Sequence, residues 1–267
     1  MADPQVDVVY VATPHNVHAD NALLALRAGK HVLIEKPFAL NAPQAREVVE
    51  YAARHDLLVM EAMWTRFLPH MRQVRAWVED GRIGRVRSLD ADHTQPLPIG
   101  AGHRLDELTL AGGALLDLGV YPISFAHDLL GPVERVHAEA TFRPSGVDGT
   151  VATIARHAGG TVSTSYTSME TRGSNRATVI GTEGRIEIDA IWYAPAPVTV
   201  YDADGEAVNR FDEPVSGRGM QYQAAEVERL LESGESASPL MTPADSVAVM
   251  ATLDAVRARI GLRYPDE

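Results

Sequence analysis

Short apolar runs alternate with amphipathic stretches through the first quarter of the chain. The apolar runs are typical of strands covered on both faces, and they occupy residues 7–13, 31–35 and 57–62. Two stretches with apolar side chains at helical spacing separate these runs, at residues 19–28 and 41–55. This strand–helix–strand–helix–strand order predicts a parallel sheet over residues 1–66, which is one half of a doubly wound, Rossmann-type fold.

The pattern changes character after Phe67. A helix, a strand, a long Gly- and Pro-rich loop and a second helix are predicted at residues 69–79, 85–93, 94–113 and 114–130, and Pro122 forces a kink or a restart in the second helix. Strand-like runs follow at residues 133–142, 151–157, 161–166, 176–180, 185–191 and 198–201, and two helices follow them at 221–232 and 243–260. Tight turns between consecutive strands predict an open, mainly antiparallel sheet. The fold class is therefore α/β plus α+β, with residues 67–267 as the α+β domain.

Composition narrows the class of protein. The chain of 267 residues is 45% hydrophobic and carries a formal net charge of −12, which argues against nucleic acid or an anionic membrane surface as the main partner. The chain has no cysteine, so disulfides and thiolate metal sites are excluded, and this fits a reducing cytoplasm. We find neither an apolar run of about 18 residues nor a basic, apolar leader. We therefore expect an acidic, globular, cytoplasmic protein.

The strand at residues 31–35 ends in a charged pair followed by a proline. Pro37 cannot donate to a sheet ladder, so Glu35 and Lys36 lie at the carboxyl end of a parallel strand. Open α/β sheets bind their ligands at that end. A strand end with a surface ion pair explains the same residues equally well, and the tripeptide alone does not separate the two interpretations.

A second candidate cluster lies on the helix predicted over residues 114–130. Asp117 and Tyr121 are four residues apart, so their side chains face the same way. Both are embedded in apolar neighbours, and a buried polar group needs a partner or a purpose. The spacing alone also fits an aspartate cap beside a core tyrosine.

Separated motifs of the chain resemble one protein family. Residues 35–37, Glu-Lys-Pro after an apolar strand, are similar to the signature of the Gfo/Idh/MocA oxidoreductases. Residues 112–121, Gly-Gly-Ala-Leu-Leu-Asp-Leu-Gly-Val-Tyr, resemble the subgroup of dihydrodiol dehydrogenases and glucose–fructose oxidoreductases, and segments 61–69 and 238–265 fit the same subgroup. The resemblance implies hydride transfer between NAD or NADP and a sugar, cyclic diol or similar polyol, with substrate binding and oligomerisation assigned to residues 67–267.

The resemblance also implies roles for single residues. Tyr121 becomes the general acid/base that exchanges a proton with the substrate, and Lys36 lowers the pKa of Tyr121 from its usual value of about 10. Asp117 orients the tyrosine or the substrate, and Trp64 forms an apolar wall of the substrate pocket. The implied cofactor contacts are Thr13, Pro14, Asn16, His18, Glu35, Lys36 and Arg66.

The sequence has no Gly-x-Gly-x-x-Gly run, on which phosphate capture by backbone N–H groups depends. Gly100-Ala101-Gly102 and Gly217-Arg218-Gly219 are interpreted as loops. In the resembled family a first half with this fingerprint precedes the strand that ends at Thr13, so we interpret Met1 as an internal methionine or the chain as a fragment. We expect these residues alone to bind NAD, NADH, NADP and NADPH only weakly. The sequence does not show whether the chain prefers NAD or NADP.

The ten histidines do not predict a metal site. His15 and His18 lie three residues apart with no carboxylate at ligand spacing, so no metal is expected. His93 and His103 fall near the long loop; we interpret them as polar loop residues, with residues that line the pocket as the alternative.

Two other functional classes stay open. A non-catalytic sensor of nucleotides or sugars fits the same fold, and so does an inactive fragment of the oxidoreductase. The pair of Lys36 and Tyr121 favours the enzyme, because a binding protein has no need of a tuned proton donor. The β-branched and aromatic composition of the later strands predicts a homodimer or larger assembly, formed sheet to sheet.

Overall fold

The first part of the chain forms a three-stranded parallel sheet. The computed structural model describes residues 3–100, 102–265 and 267, so the interpretations that fall on Met1 and Ala101 lie outside the described residues. In chain order the elements are β1 (Val8–Val11), α1 (His18–Arg27), β2 (His31–Glu35), α2 (Ala42–Arg54) and β3 (Val59–Ala62). The strands are parallel and lie in the order β1-β2-β3, which confirms the predicted βαβαβ unit.

A mixed eight-stranded sheet dominates the rest of the chain. Its elements and the helices around it are α3 (Pro69–Glu79), β4 (Val86–Thr94), α4 (Val120–Leu130), β5 (Val133–Phe142), β6 (Asp148–His157), β7 (Val162–Ser168), β8 (Ala177–Gly181), β9 (Gly184–Ile188), β10 (Val198–Asp202), β11 (Ala207–Phe211), α5 (Gln221–Ser233) and α6 (Pro243–Ile260). The strand order is β11-β10-β9-β8-β4-β7-β6-β5, and only the β4–β7 pair is parallel among these described strands. The sheet is therefore open and mainly antiparallel, as predicted.

Strand β11 is the one strand of this sheet that the sequence did not predict. It lies at the edge, pairs with β10, and is exposed over most of its length. An edge strand with little burial carries no apolar alternation, so its residues resemble a loop in the sequence.

Side-chain caps begin two of the helices. The amide of Gln44 donates to Asn41 Oδ1 at 2.9 Å at the start of α2. At the start of α6, Thr242 and Asp245 form a reciprocal capping box, with the amide of Asp245 donating to Thr242 Oγ1 at 3.0 Å. These local hydrogen bonds satisfy backbone donors that a helix start leaves free.

The helix predicted over 114–130 is divided into two parts. Residues Leu115–Gly119 form a π-helical turn, and α4 follows with Pro122 in its first turn, so the chain restarts there. The stretch 108–130 is long and apolar enough to cross a membrane, whereas we found no such apolar run in the sequence. Most of this stretch is buried inside the protein. It is therefore the core helix of this part of the fold.

Helices cover one face of the eight-stranded sheet. α4 packs against β4 and β7, and α6 packs against β5 and α4. The opposite face exposes Ile154, Tyr166 and Ile180, whose side chains are 56%, 43% and 42% exposed. This arrangement places the start of α4 between the large sheet and the carboxyl ends of the parallel strands.

Candidate active site

A pocket of about 240 Å³ opens at the carboxyl ends of β1 and β2. It is lined by Ala12, Thr13, Pro14, His15, His18, Glu35, Lys36, Arg104 and Asp117. A larger cleft of about 550 Å³ lies at the amino ends of β2 and β3, and none of the predicted site residues lines it. Because open parallel sheets bind ligands at the carboxyl ends of their strands, the smaller pocket is the candidate site.

Lys36 and Asp117 form a buried ion pair at the base of this pocket. Lys36 Nζ donates to Asp117 Oδ1 at 3.0 Å and to the backbone oxygen of Asp117 at 2.7 Å. Burial opposes the charge of the carboxylate, but Lys36, His15 and Arg104 outweigh burial and hold the pKa of Asp117 well below its usual range. Burial also disfavours the ammonium, but neighbouring Tyr121, Asp117 and Glu35 raise the pKa of Lys36. Both groups therefore stay charged at neutral pH.

Tyr121 lies beside this ion pair and is 7% exposed. Lys36 Nζ is 5.1 Å from the centre of the Tyr121 ring, and Trp64 Nε1 donates to Tyr121 Oη at 2.9 Å. Burial raises the pKa of Tyr121, and the opposing effects of Lys36 and Trp64 do not cancel it. Lys36 thus acts in the predicted direction, but the net pKa is raised, and the phenol is protonated at neutral pH.

An aromatic wall continues from Tyr121 towards the large sheet. The ring of His93 stacks on Tyr193 at 3.7 Å and meets Tyr121 edge-on at 4.8 Å between ring centres. Gln95 Nε2 donates to Tyr193 Oη at 2.9 Å. Burial lowers the pKa of His93 to about 3, so its ring is neutral. His93 is therefore a buried residue of β4, within the predicted strand, and not the polar loop residue of our interpretation. His103 does lie in the loop, where its ring accepts from the amide of Leu105.

Hydrogen bonds tie together the two loops that enclose the pocket. The ring nitrogens of His18 lie 2.8 Å from the backbone oxygen of Thr13 and 2.7 Å from that of Pro37. Burial lowers the pKa of His18 to about 4, so the ring is neutral at pH 7 and its single N–H donates to one of these two oxygens at a time. Glu35 accepts hydrogen bonds from the hydroxyl of Tyr10 and, at 3.1 Å, from the amide of Lys36. The predicted residues Thr13, Pro14, His18, Glu35 and Lys36 therefore come together in one pocket.

The structure does not bring Arg66 to this pocket. Its guanidinium is 3% exposed and donates to Ser124 Oγ at 2.9 Å, to Ser124 O at 2.8 Å and to Leu240 O at 3.2 Å. Asp128 and Asp245 lie 3.8 Å and 3.6 Å from its Nη1 atom. All three nitrogens of the guanidinium are used behind α4, so Arg66 joins α4 to the segment before α6.

Asn16 also lies outside the pocket lining. Its Nδ2 atom donates to the backbone oxygen of Thr109 at 3.1 Å. The next loop contact is made by His15, whose Nδ1 lies 3.1 Å from the backbone oxygen of Ala111. Asn16 thus connects the loop after β1 to the long loop before α4 through a hydrogen bond.

Two pocket residues were missed by sequence reasoning. His15 Nε2 lies 3.5 Å and Arg104 Nη2 lies 3.4 Å from Asp117 Oδ1. Arg104 comes from a polar loop with no periodicity, so nothing in its neighbourhood marked it. His15 was considered only as a metal ligand, although its place in the Thr-Pro-His-Asn loop after β1 was a usable signal. Within the described residues no three His, Asp or Glu side chains form a metal-binding group.

The donor set of the pocket fits the nicotinamide end of a dinucleotide. Thr13, Glu35 and Lys36 offer a hydroxyl, a carboxylate and an ammonium at the carboxyl ends of adjacent parallel strands, where ribose hydroxyls and a carboxamide find acceptors and donors. The sequence contains no Gly-x-Gly-x-x-Gly turn for the pyrophosphate. The residues present therefore fit the reactive end of the cofactor.

Comparison with known proteins covers both sheets. Residues 1–63 match an oxidoreductase family with an NAD-binding Rossmann fold, and residues 71–187 match the Gfo/Idh/MocA C-terminal domain. The chain is 34% identical over 269 residues to trans-1,2-dihydrobenzene-1,2-diol dehydrogenase of Xenopus laevis. This alignment covers 98% of this chain and 81% of the relative. It is 35% identical over 297 residues to D-xylose 1-dehydrogenase (NADP(+)) of Hypocrea jecorina. This alignment covers 100% of this chain and 76% of the relative.

Solved structures show the same architecture. The 3-ketoreductase KijD10 from Actinomadura kijaniata, in complex with NADP and TDP-benzene, matches with a TM-score of 0.86 at 31% identity, over 97% of this chain and 80% of that chain. The aldose-aldose oxidoreductase from Caulobacter crescentus, complexed with glycerol, matches with a TM-score of 0.86 at 26% identity, over 96% of this chain and 78% of that chain. The similarity therefore extends over both sheets.

Proposed function

The chain belongs to the Gfo/Idh/MocA family of NAD(P)-dependent oxidoreductases, and we propose that it transfers a hydride between the nicotinamide and a CH–OH carbon of a sugar, cyclic diol or similar polyol. The observation that carries the proposal is the cluster of Lys36, Asp117 and Tyr121 at the carboxyl end of β2. The names of the relatives support the substrate class, because they specify a dihydrodiol, xylose and an aldose.

Tyr121 is the proposed proton donor and acceptor. Because its phenol is protonated at neutral pH, Oη donates a proton to the carbonyl oxygen when a ketone or aldehyde is reduced. In the reverse direction the deprotonated oxygen takes the proton of the substrate hydroxyl, so alcohol oxidation needs the phenolate form of Tyr121. The nicotinamide, when bound, supplies or accepts the hydride.

Lys36 and Asp117 shape the electric field at this oxygen. The two contacts with Asp117 hold the ammonium against the ring of Tyr121. The fixed positive charge stabilises negative charge that develops on the phenol oxygen or on the substrate oxygen during proton transfer. Asp117 therefore acts by orienting Lys36.

The loops after β1 and β2 would hold the cofactor. Thr13, Pro14, His18, Glu35 and Lys36 line one pocket and would bind the nicotinamide and its ribose. His18 stabilises the two loops against each other through its contacts with Thr13 and Pro37.

We also propose that two chains associate through the open face of the eight-stranded sheet. Ile154, Tyr166 and Ile180 lie on that face, on three different strands, and all three are exposed. An exposed group of large apolar side chains on one sheet face is typical of an interaction surface. A second copy of the chain is the proposed partner.

The test of the proposed chemistry is Tyr121→Phe. We expect turnover to fall by at least about a hundredfold, which is the usual contribution of a general acid–base group, while cofactor affinity is unchanged. Tyr193→Phe is the matched control, because its phenol lies in the same wall with a ring centre 5.6 Å from that of Tyr121. Steady-state rates with several polyols and cofactor titration by fluorescence provide the measurements. Retained turnover in Tyr121→Phe, or an equal loss in both variants, contradicts the proposal.

A further inference from the structure

Trp64 makes the direct hydrogen bond to the phenol oxygen of Tyr121. The residue lies in the 3₁₀ turn Trp64–Phe67, immediately after β3, and is 5% exposed. Its indole N–H can only donate, so the direction of the 2.9 Å hydrogen bond is settled. The phenol oxygen therefore accepts from Trp64, and its own hydrogen is free to point at a substrate.

The ammonium of Lys36 does not donate a hydrogen bond to Tyr121 Oη. Its donors go to Asp117 O and Asp117 Oδ1, and it lies over the ring of Tyr121 and not at the oxygen. Among the described residues, Tyr121 Oη makes no other hydrogen bond than the one from Trp64. Lys36 thus acts on Tyr121 through space, whereas Trp64 acts through a hydrogen bond.

The geometry points to Trp64 as a positioning residue for the proposed acid/base: its indole N–H orients the phenol of Tyr121 and stabilises the phenolate that takes the substrate proton in alcohol oxidation and forms again in carbonyl reduction. This inference rests on the proposed role of Tyr121. It assigns Trp64 more than the apolar wall that the sequence implied.

The surroundings of Tyr121 make such a donor effective. The ionisable groups that face it are Tyr10 from β1, Glu35 from the end of β2, Lys36 directly after β2, Asp117 from the π-helical turn, His93 from β4 and Tyr193 from the loop before β10. His93 is neutral, and the two carboxylates oppose the effect of Lys36. In a buried site a hydrogen bond to an anionic oxygen is stronger than in water, so the neutral indole stabilises the phenolate without adding charge.

The first experiment observes the hydrogen bond in the protein without cofactor. The chain has three tryptophans, so the indole N–H signal of Trp64 in an NMR spectrum is assigned by its loss in Trp64→Phe. In Tyr121→Phe we expect this signal to move upfield and to exchange faster with solvent, because its acceptor is gone. The signal of Trp77, a buried tryptophan of α3, should not move. An unchanged Trp64 signal in Tyr121→Phe overturns the inference.

The second experiment is a kinetic double-mutant cycle. We expect Trp64→Phe to lower kcat for alcohol oxidation about tenfold, with KM little changed, and to move the alkaline rise of the rate up by about one pH unit. In the Tyr121→Phe background the same substitution should have no further effect. Trp77→Phe controls for the loss of a buried indole and should leave the pH dependence unchanged.

The outcomes separate the two proposals. If Tyr121→Phe keeps full turnover, the proposed function fails. If Tyr121→Phe loses turnover but Trp64→Phe leaves the pH dependence unmoved, or lowers the rate equally in both backgrounds, only the inference on Trp64 fails. In that case Trp64 acts as a wall of the pocket alone.

Discussion

Burial and charge act in opposite directions on the ionisable side chains around Tyr121. For Asp117, three positive or polar neighbours outweigh burial, and the carboxyl stays ionised. For Tyr121, burial prevails over Lys36, and the phenol stays protonated. The same ammonium therefore stands beside one ionised and one neutral group. The ion pairs and hydrogen bonds of the Asp117 carboxylate offset the solvation energy that it loses on burial, whereas the contacts of Tyr121 do not offset the loss that its phenolate would suffer.

Glu61 is a carboxyl group for which burial outweighs the stabilising neighbours. It lies on β3, is 1% exposed, and accepts one hydrogen bond of 3.1 Å from the amide of Phe38. Its second oxygen has no hydrogen-bond partner among the described residues. Burial raises the pKa of Glu61 from its usual value of 4.5 to about 7, although nearby Ser246, Arg66 and the amide of Phe38 oppose this. The folded protein therefore holds a proton on Glu61 that the unfolded chain releases.

This difference predicts the pH dependence of stability. Because the pKa of Glu61 is higher in the folded state, its contribution to the free energy of unfolding decreases as pH rises from about 4.5 to 7, by about 3 kcal/mol. We expect Glu61→Gln, which keeps an acceptor for Phe38, to become more stable relative to the wild type by about that amount over this range. Urea unfolding at several pH values measures it. Glu79→Gln, at an exposed position of α3, is the control, and an effect of Glu61→Gln that does not change with pH contradicts the prediction.

At the scale of elements, two glycines and a remote carboxylate position the start of α4. The amide of Leu115 donates to Asp148 Oδ2 at 2.6 Å, so the first residue of β6 caps a helical segment 33 positions before it. Gly113 has φ of +114°, and a Cβ atom there would lie 2.0 Å from Asp148 Oδ1. A Cβ at Gly112 would lie 2.5 Å from the backbone oxygen of Leu105. The Gly-Gly pair therefore allows the close approach that places Asp117 and Tyr121.

The prediction at this scale concerns Gly113→Ala. The methyl group collides with Asp148 and must displace either the carboxylate or the helix start, so we expect a loss of stability of about 2–4 kcal/mol together with a loss of turnover. Gly159→Ala is the matched control, because Gly159 also has positive φ, +87°, but nothing within 4 Å of its Cβ position. That substitution should cost about 1 kcal/mol and leave turnover unchanged. Denaturation and activity assays compare the two variants, and equal losses in both contradict the argument.

At the scale of the whole molecule, the long loop before α4 connects the two sheets across the pocket. Asn16 donates to Thr109 on this loop, and His15 contacts Ala111. On the other side, Arg143 of the segment after β5 donates to Asp106 at 2.8 Å. The loop is thus anchored both to the parallel sheet and to the large sheet, and it places Arg104 at the pocket.

Association is the prediction that belongs to the whole molecule. If the open face of the large sheet joins two copies, Ile154→Glu introduces a charge on that face and should convert the dimer to a monomer at micromolar concentration, because a buried unpaired charge is strongly unfavourable. Sedimentation velocity measures the change. Leu24→Glu on α1, where the side chain is 52% exposed, is the control for an added charge elsewhere. A wild-type chain that is already monomeric removes the proposal.

The sequence by itself determined the elements and the residues that local pattern places. Short apolar runs predicted all three parallel strands, and apolar side chains at helical spacing predicted α1 and α2. Lys36 could be recognised because it ends a buried strand, and Asp117 with Tyr121 because they share a helical face. These features are readable because each depends on neighbours within about one turn or one strand.

Only the tertiary structure decided which of these residues meet. Trp64 reaches Tyr121 across 57 positions and Arg104 reaches His15 across 89, while Arg66 turns away from the pocket to Ser124. No periodicity encodes such contacts, because they arise where separate elements pack together. The net pKa of Tyr121 was unreadable for the same reason, since it is set by how far packing removes water from the phenol and which charges packing leaves beside it.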